Sequence, residues 1–226
     1  MSLVSRLMEN KRAVASAGVV TIFSGALLGL ALWYDGEATA DVVLNDSGIW
    51  VTRASHGELG RYNFEAGAID GIMDTNSTTF DVSQDGGRVL FDNDGASEAS
   101  PVDPAHLQFG GTLALPTGAQ VASGGATSAV YDGESGRLWV LPFDGAQAFD
   151  EEELEPTAEI GHGGELAVGT DGTVYVATTA EGGELTIVPT SSRGVPGEVE
   201  TERISVPENA TLQVSAVGDR PVVLDR

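Results

Sequence analysis

Three histidines are the first residues to test for chemistry: His56 in Ser55-His56-Gly57, His106 in Ala105-His106-Leu107 and His162 in Gly161-His162-Gly163-Gly164. None has a second histidine or a carboxylate at metal-ligand spacing, and neither an H-E-x-x-H pair nor a G-x-S-x-G nucleophile elbow occurs. His162, set among glycines, reads as a solvated turn histidine rather than a presented catalytic imidazole. Cysteine is absent, which removes thiolate nucleophiles, thiolate-bound zinc, iron–sulfur clusters and disulfides together.

The carboxylates are numerous but poorly patterned. Asp92-Asn93-Asp94-Gly95 opens like a calcium loop, yet Ala96-Ser97-Glu98 lacks the Asp-Gly that should follow and the distal Glu of that loop. Asp150-Glu151-Glu152-Glu153-Leu154-Glu155 reads as a solvated loop or helical turn. With so many acids, a pair spaced for glycoside hydrolysis arises by chance, so their number points to no reaction. Asn76-Ser77-Thr78 and Asn209-Ala210-Thr211 match a glycosylation acceptor pattern, taken as coincidence. The expectation is a chain without catalytic residues, cofactor or metal, and not an enzyme.

Charge separates the ends of the chain. Arg6, Lys11 and Arg12 precede an apolar segment and only Glu9 among the acids does so; the remainder carries 33 acidic against 8 basic residues, a net of −25. Such a surface repels nucleic acid and anionic polymers. Residues 13–34, Ala13 to Tyr34, hold no charge in 22 positions, and a helix of that length reaches roughly 33 Å, enough to cross a bilayer. Basic residues before it, Asp35, Glu37 and Asp41 after it, and Trp33 and Tyr34 at its end satisfy the positive-inside and aromatic-belt patterns. The expected topology is a cytoplasmic tail over 1–12, a transmembrane helix over 13–34 whose partner is the lipid bilayer, and an extracellular domain over 35–226, hence a single-pass plasma-membrane localisation. A rival reading is a signal peptide cleaved after Ala40, since Ala38-Thr39-Ala40 has the small-x-small form. Gly25 and Gly29 form a G-x-x-x-G pair through which two such helices could dimerise weakly.

The elements that would position any site recur as one motif: an alternating apolar strand, a turn built on Gly or Asp, and a second strand rich in Val and aromatics. It occurs at 42–51, 80–91, 128–140, 165–176 and, more weakly, 212–224, and each copy reads as a β-hairpin. From Ile49 the second strands recur at Val89, Leu138, Val174 and Val222, spacings of 40, 49, 36 and 48 residues. Blade repeats of β-propellers fall at about 40–50 residues. Stretches such as Glu58 to Phe64 and Glu184 to Val188 would supply outer strands. The fold class expected is therefore all-β, a partial β-propeller of four-stranded blades preceded by one transmembrane helix; a β-sandwich is the competing architecture. Because the fifth hairpin reaches Arg226 without an outer strand, the sequence reads as the N-terminal piece of a longer protein.

The hairpin from Phe80 to Asp92, with Ser83-Gln84-Asp85-Gly86 at its turn, and the strand Gly172-Thr173-Val174-Tyr175-Val176 resemble blades of bacterial YVTN-type propellers. Together with the basic tail, the apolar segment, Asn45-Asp46-Ser47-Gly48-Ile49-Trp50-Val51-Thr52, Gly60-Arg61-Tyr62-Asn63 and Val102-Asp103-Pro104-Ala105, the chain resembles the start of large actinobacterial membrane proteins. In those a propeller-like region precedes immunoglobulin-like or fibronectin type III domains. The resemblance implies no catalytic residues. The functional expectation is a membrane-anchored cell-surface binding or scaffold module with an envelope protein or glycan partner. The alternative is an accessory part of an extracellular polysaccharide-degrading protein. Aromatics gathered on one face would favour glycan contact, but Trp50, Trp139 and Tyr175 lie inside strands and read as core.

Overall fold

Turn chemistry decides where this chain folds back. The computed structural model describes residues 48–93, 97–207 and 210–225, all within the unit Val43–Arg226. Among them the strands form five antiparallel sheets in chain order. The first holds β1 (Gly48–Arg53), β2 (Glu58–Asn63) and β3 (Ala68–Asp74). The second holds β4 (Asp81–Asp85), β5 (Arg88–Asn93), β6 (Glu98–Asp103) and β7 (Gln108–Phe109), with β8 (Leu113–Ala114) also pairing to β6. The third is β9 (Gln120–Gly124), β10 (Thr127–Asp132), β11 (Arg137–Pro142) and β12 (Ala158–Glu159). The fourth is β13 (Glu165–Val168), β14 (Val174–Thr178), β15 (Glu184–Val188) and β16 (Glu200–Arg203), and the fifth is β17 (Leu212–Val217) with β18 (Arg220–Asp225).

The turns explain the registers. Gly86, at φ +58°, closes the β4–β5 hairpin, in which Val82 faces Phe91; a side chain at that φ is strained, so glycine suits the position. In the β10–β11 turn the Asp132 carboxylate accepts from the backbone N–H groups of Glu134 and Ser135, and in the β13–β14 turn Asp171 does the same for Thr173. These are side-chain mimics of a backbone turn.

Strand alternation then sends successive residues to opposite faces, and each sheet uses them against a different neighbour. Trp50, Leu59 and Met73 of the first sheet pack on Val89, Phe91 and Val102 of the second. Leu90, Ala99 and Leu113 of the second pack on Val130 and Trp139 of the third. Tyr131 and Leu138 meet Val174 and Val176, and Tyr175 and Ala177 meet Leu212 and Val214. The central strands β10 and β14 are therefore buried on both faces, while the first and fifth sheets each cover only one. Trp139 shows how closely the interior is filled: it lies edge-on to Phe149 and its indole N–H donates to the Leu154 carbonyl at 3.0 Å.

Two expectations are corrected here. The partial propeller of four-stranded blades fails: the sheets have three, five, four, four and two strands, and no closed ring forms among the described residues. The sequence period marks hairpins, and a hairpin repeat does not fix how many strands each sheet recruits or whether the array closes. The transmembrane topology is given up as well. Among the described residues the helices are three 3-10 turns, Ala54–His56, Phe143–Ala148 and Ala180–Gly182, and none is long and apolar enough to cross a membrane. The stretch 13–34, on which the bilayer partner, the single-pass plasma-membrane localisation and the Gly25–Gly29 contact were placed, lies outside the described residues, as do the cleavage point after Ala40 and the first half of the first hairpin.

Candidate functional site

The three histidines sit in separate loops, each tied to its own neighbours. At His56 the Arg53 guanidinium, which can only donate, reaches Nε2 at 3.0 Å, so Nδ1–H is the donor to Ser55 Oγ at 2.9 Å. His106 donates from Nδ1 to Asp103 at 2.7 Å, and that hydrogen bond is the first cause holding the Asp103 carboxyl below its usual range. His162 donates to the Glu134 carbonyl at 2.6 Å. Its loop is fastened from below by buried Tyr131, whose hydroxyl donates to the Gly161 carbonyl and accepts from the Gly164 N–H. Burial pushes the Tyr131 phenol up.

In the acidic stretch 150–155 the Asp150 carboxylate accepts from the Glu152 N–H at 2.9 Å. Glu151 pairs with Arg137 at 3.1 Å, and that guanidinium lies 4.9 Å from the Trp139 ring centroid. At Asp132 burial works to raise the carboxyl, but the Ser135 hydroxyl, the turn N–H groups and Arg137 outweigh it, and the net shift is downward. No group of three His, Cys, Asp or Glu suited to a metal ion occurs among the described residues. Of the calcium-like stretch, Asp94 and Gly95 lie outside the described residues, as does Asn209. Trp50, Trp139 and Tyr175 are all core, exposed by 7%, 1% and 3%.

A cleft that sequence reasoning did not assemble opens where the second, third and fourth sheets adjoin. Its volume is about 540 Å³, and its polar walls are Asp92 at the end of β5, Ser97 before β6, Gln120 at the start of β9 and Glu165 at the start of β13. Leu115, Val121 and Leu166 supply its apolar lining. Asp92 and Val121 also border a smaller hollow of about 50 Å³ with Asp81 and Ser83.

Gln120 sets the geometry of this cleft. Its Oε1 accepts from the Leu166 N–H and its Nε2 donates to the Gly164 carbonyl, both at 2.9 Å, so one amide bridges the third sheet to the fourth. A primary amide has two N–H donors and two oxygen lone pairs; the bridge uses one of each. The cleft thus gathers acceptor carboxylates, a hydroxyl and an amide around a modest apolar floor. That combination suits a ligand rich in hydroxyl groups. No sequence motif flags these residues, because they come from four separate strand ends, and only the polar character of Gln120 and Glu165 at otherwise apolar strand starts hints at them.

No family model and no curated protein matches the chain. Solved structures do. Dihydro-heme d1 dehydrogenase NirN in complex with DHE aligns over 87% of this chain and 43% of its own, at 14% identity and TM-score 0.56. Apo AztD from Citrobacter koseri aligns over 81% and 54%, at 11% identity and TM-score 0.53. The complex of KlAtg21 with the coiled-coil of AgAtg16 aligns over 75% and 56%, at 12% identity and TM-score 0.53. At these identities the likeness concerns the fold alone, and the chain spans about half the length of the structures it matches.

Proposed function

We propose that this chain is a non-catalytic carbohydrate-binding module, an accessory part of an extracellular polysaccharide-degrading protein. The observation that carries this reading is the cleft of about 540 Å³ in which Asp92, Ser97, Gln120 and Glu165 converge on a partly apolar floor. Carboxylates and amides hydrogen-bond vicinal hydroxyls through paired acceptors and donors, and buried binding polar groups impose specificity on such ligands. The net charge of −23 disfavours sulfated or uronate-rich polymers and leaves neutral glycans as the ligand class. With Trp50, Trp139 and Tyr175 committed to the core and no aromatic ring among the residues lining the cleft, recognition there works by hydrogen bonding rather than by stacking. The resemblance to proteins bearing fibronectin type III domains agrees with an accessory role. The membrane-anchored scaffold reading is set aside with the topology on which it rested.

The test is a glycan array probed with the full chain, followed by calorimetry on any ligand found. Neutral polysaccharides should be retained and polyanions should not, and Asp92→Asn or Glu165→Gln should weaken retention about tenfold or more, the scale of a lost charged hydrogen bond. Failure to retain any glycan, or undiminished retention by both variants, would sink the proposal.

A further inference from the structure

The cleft has a side chamber whose walls follow from the register of one hairpin. In the β4–β5 pair Asp81 stands opposite Asp92 and Ser83 opposite Leu90, and residues two apart on a strand share a face. All four therefore lie on one face, the one turned to the third sheet. Leu90 packs in one cluster with Val121, Val130 and Trp139, and Ser83 Oγ lies 2.8 Å from Ser123 Oγ on β9. The hollow of about 50 Å³ enclosed there is bordered by these four residues, by Val82 and by Val121. Asp92 and Val121 also line the cleft, so the two spaces adjoin.

The lining of the hollow is chemically divided. Leu90, 1% exposed, and Val121 form an apolar wall. Ser83 and Ser123 share one hydrogen bond; with Ser123 as its donor, the Ser83 O–H is left to donate to a ligand. A carboxylate has about four lone-pair sites, and Asp81 gives one of them to the Val82 N–H at 2.7 Å. Carboxylates directly opposite each other destabilise a sheet, and a donor held between Asp81 and Asp92 offsets that cost. A hydrated cation does not suit the place, because its oxygen shell would rest against Leu90 and Val121. At about 10–15 Å³ for each atom-sized sphere, the hollow holds roughly four non-hydrogen atoms.

An acetamido group answers each of these features. It has that many non-hydrogen atoms, an N–H for the Asp81 carboxylate, a carbonyl for the Ser83 O–H and a methyl for the wall of Leu90 and Val121. A sugar hydroxyl in its place would reach a carboxylate but leave Ser83 and the apolar wall unmet. We propose that the hollow is the subsite for the acetamido group of an N-acetylhexosamine whose ring lies in the cleft, so that the chain selects acetamido sugars among neutral glycans. This assignment rests on the reading of the cleft as a glycan site.

The experiment is calorimetry on the full chain with the β-linked tetramers of N-acetylglucosamine, glucose and glucosamine, at high salt to screen the net charge of the chain. The acetylated tetramer should bind about tenfold or more tighter than the glucose tetramer, the scale of a well-placed hydrogen bond and a buried methyl together. Ser83→Val, which removes the donor and fills the hollow, should bring that ratio close to one. Asp81→Asn, which keeps an acceptor for the Val82 N–H, should lower it severalfold. Circular dichroism and the thermal midpoint of both variants separate a lost subsite from lost folding. Equal binding of the acetylated and glucose tetramers overturns the subsite and leaves the cleft as a glycan site. A preference unchanged in both variants overturns it too, and so does tighter binding of the glucosamine tetramer, which would show the carboxylates reading an ammonium. Binding of none of the three also overturns it; retention of other glycans on the array then keeps the cleft reading, and an empty array removes both.

Discussion

Two glutamines do work that the backbone ladder cannot. Gln120 joins β9 to the N–H of Leu166 and the carbonyl of Gly164, and Gln84 on β4 makes the matching pair with the N–H of Trp50 and the carbonyl of Gly48, at 3.1 and 2.7 Å. In each case one side-chain amide satisfies donor and acceptor two residues apart on a neighbouring sheet, which is the spacing of an unpaired strand edge. Gln120→Leu removes both bonds and leaves a backbone N–H and carbonyl short of partners, so chemical denaturation should show a loss of about 1–3 kcal/mol. Gln120→Glu should not restore it, because a carboxylate cannot donate to Gly164. Asp70 makes a second test at this scale. Hydrogen bonds from Arg61, at 2.8 Å, and from Asn63 lower its carboxyl from 3.8 to about 2. A depressed carboxyl stabilises the fold above its unfolded value and loses that effect as pH falls through the folded one. The stability gap between the wild type and Asp70→Asn should therefore be constant above pH 3.8 and close between 3.8 and about 2. Carboxyl NMR should place the wild-type midpoint near 2, moving upward in Arg61→Gln; an unmoved midpoint would remove Arg61 as the cause. Neither glutamine was legible as a bridge in the sequence, since its partners are backbone groups about 35 to 45 residues away.

At the scale of elements, what was legible was the hairpin. Gly86-Gly87, Gly133 to Gly136, Asp171-Gly172 and Gly218-Asp219 sit between alternating apolar strands, and the structure pairs β4 with β5, β10 with β11, β13 with β14 and β17 with β18. Strand number per sheet was not legible, because β7, β8 and β12 have two residues each and pair only where tertiary packing delivers them. Trp139 was read correctly as core, for a reason visible in β11: its neighbours Leu138 and Val140 bury against the fourth sheet while it buries against the second. Trp139→Ala should cost about 3–5 kcal/mol, the scale for emptying a large aromatic site; a loss below 1 kcal/mol in urea titration would show that the site collapses freely. Gly124, at the end of β9, answers a different demand. A methyl group there would lie 2.3 Å from the Gly169 carbonyl oxygen, so Gly124→Ala must push the third and fourth sheets apart and should destabilise by about 1–3 kcal/mol. The absence of a shift in thermal midpoint would mean that these strand ends are not fixed in place.

Across the whole array, each sheet depends on its neighbours for burial. Among the described residues the second, third and fourth sheets are covered on both faces, whereas the first and fifth have one open face each. Stability in such a series is close to a sum of sheet terms and nearest-neighbour interfaces, so the ends, with one interface, open before the middle. Native-state hydrogen exchange should then show the amides of β10, β11 and β14 exchanging only through global unfolding. Those of β1 to β3 and of β17 and β18 should exchange at least about tenfold faster, through local opening. Uniform protection through all five sheets would refute the nearest-neighbour picture, since it requires the two-strand fifth sheet to be as well supported as strands buried on both faces.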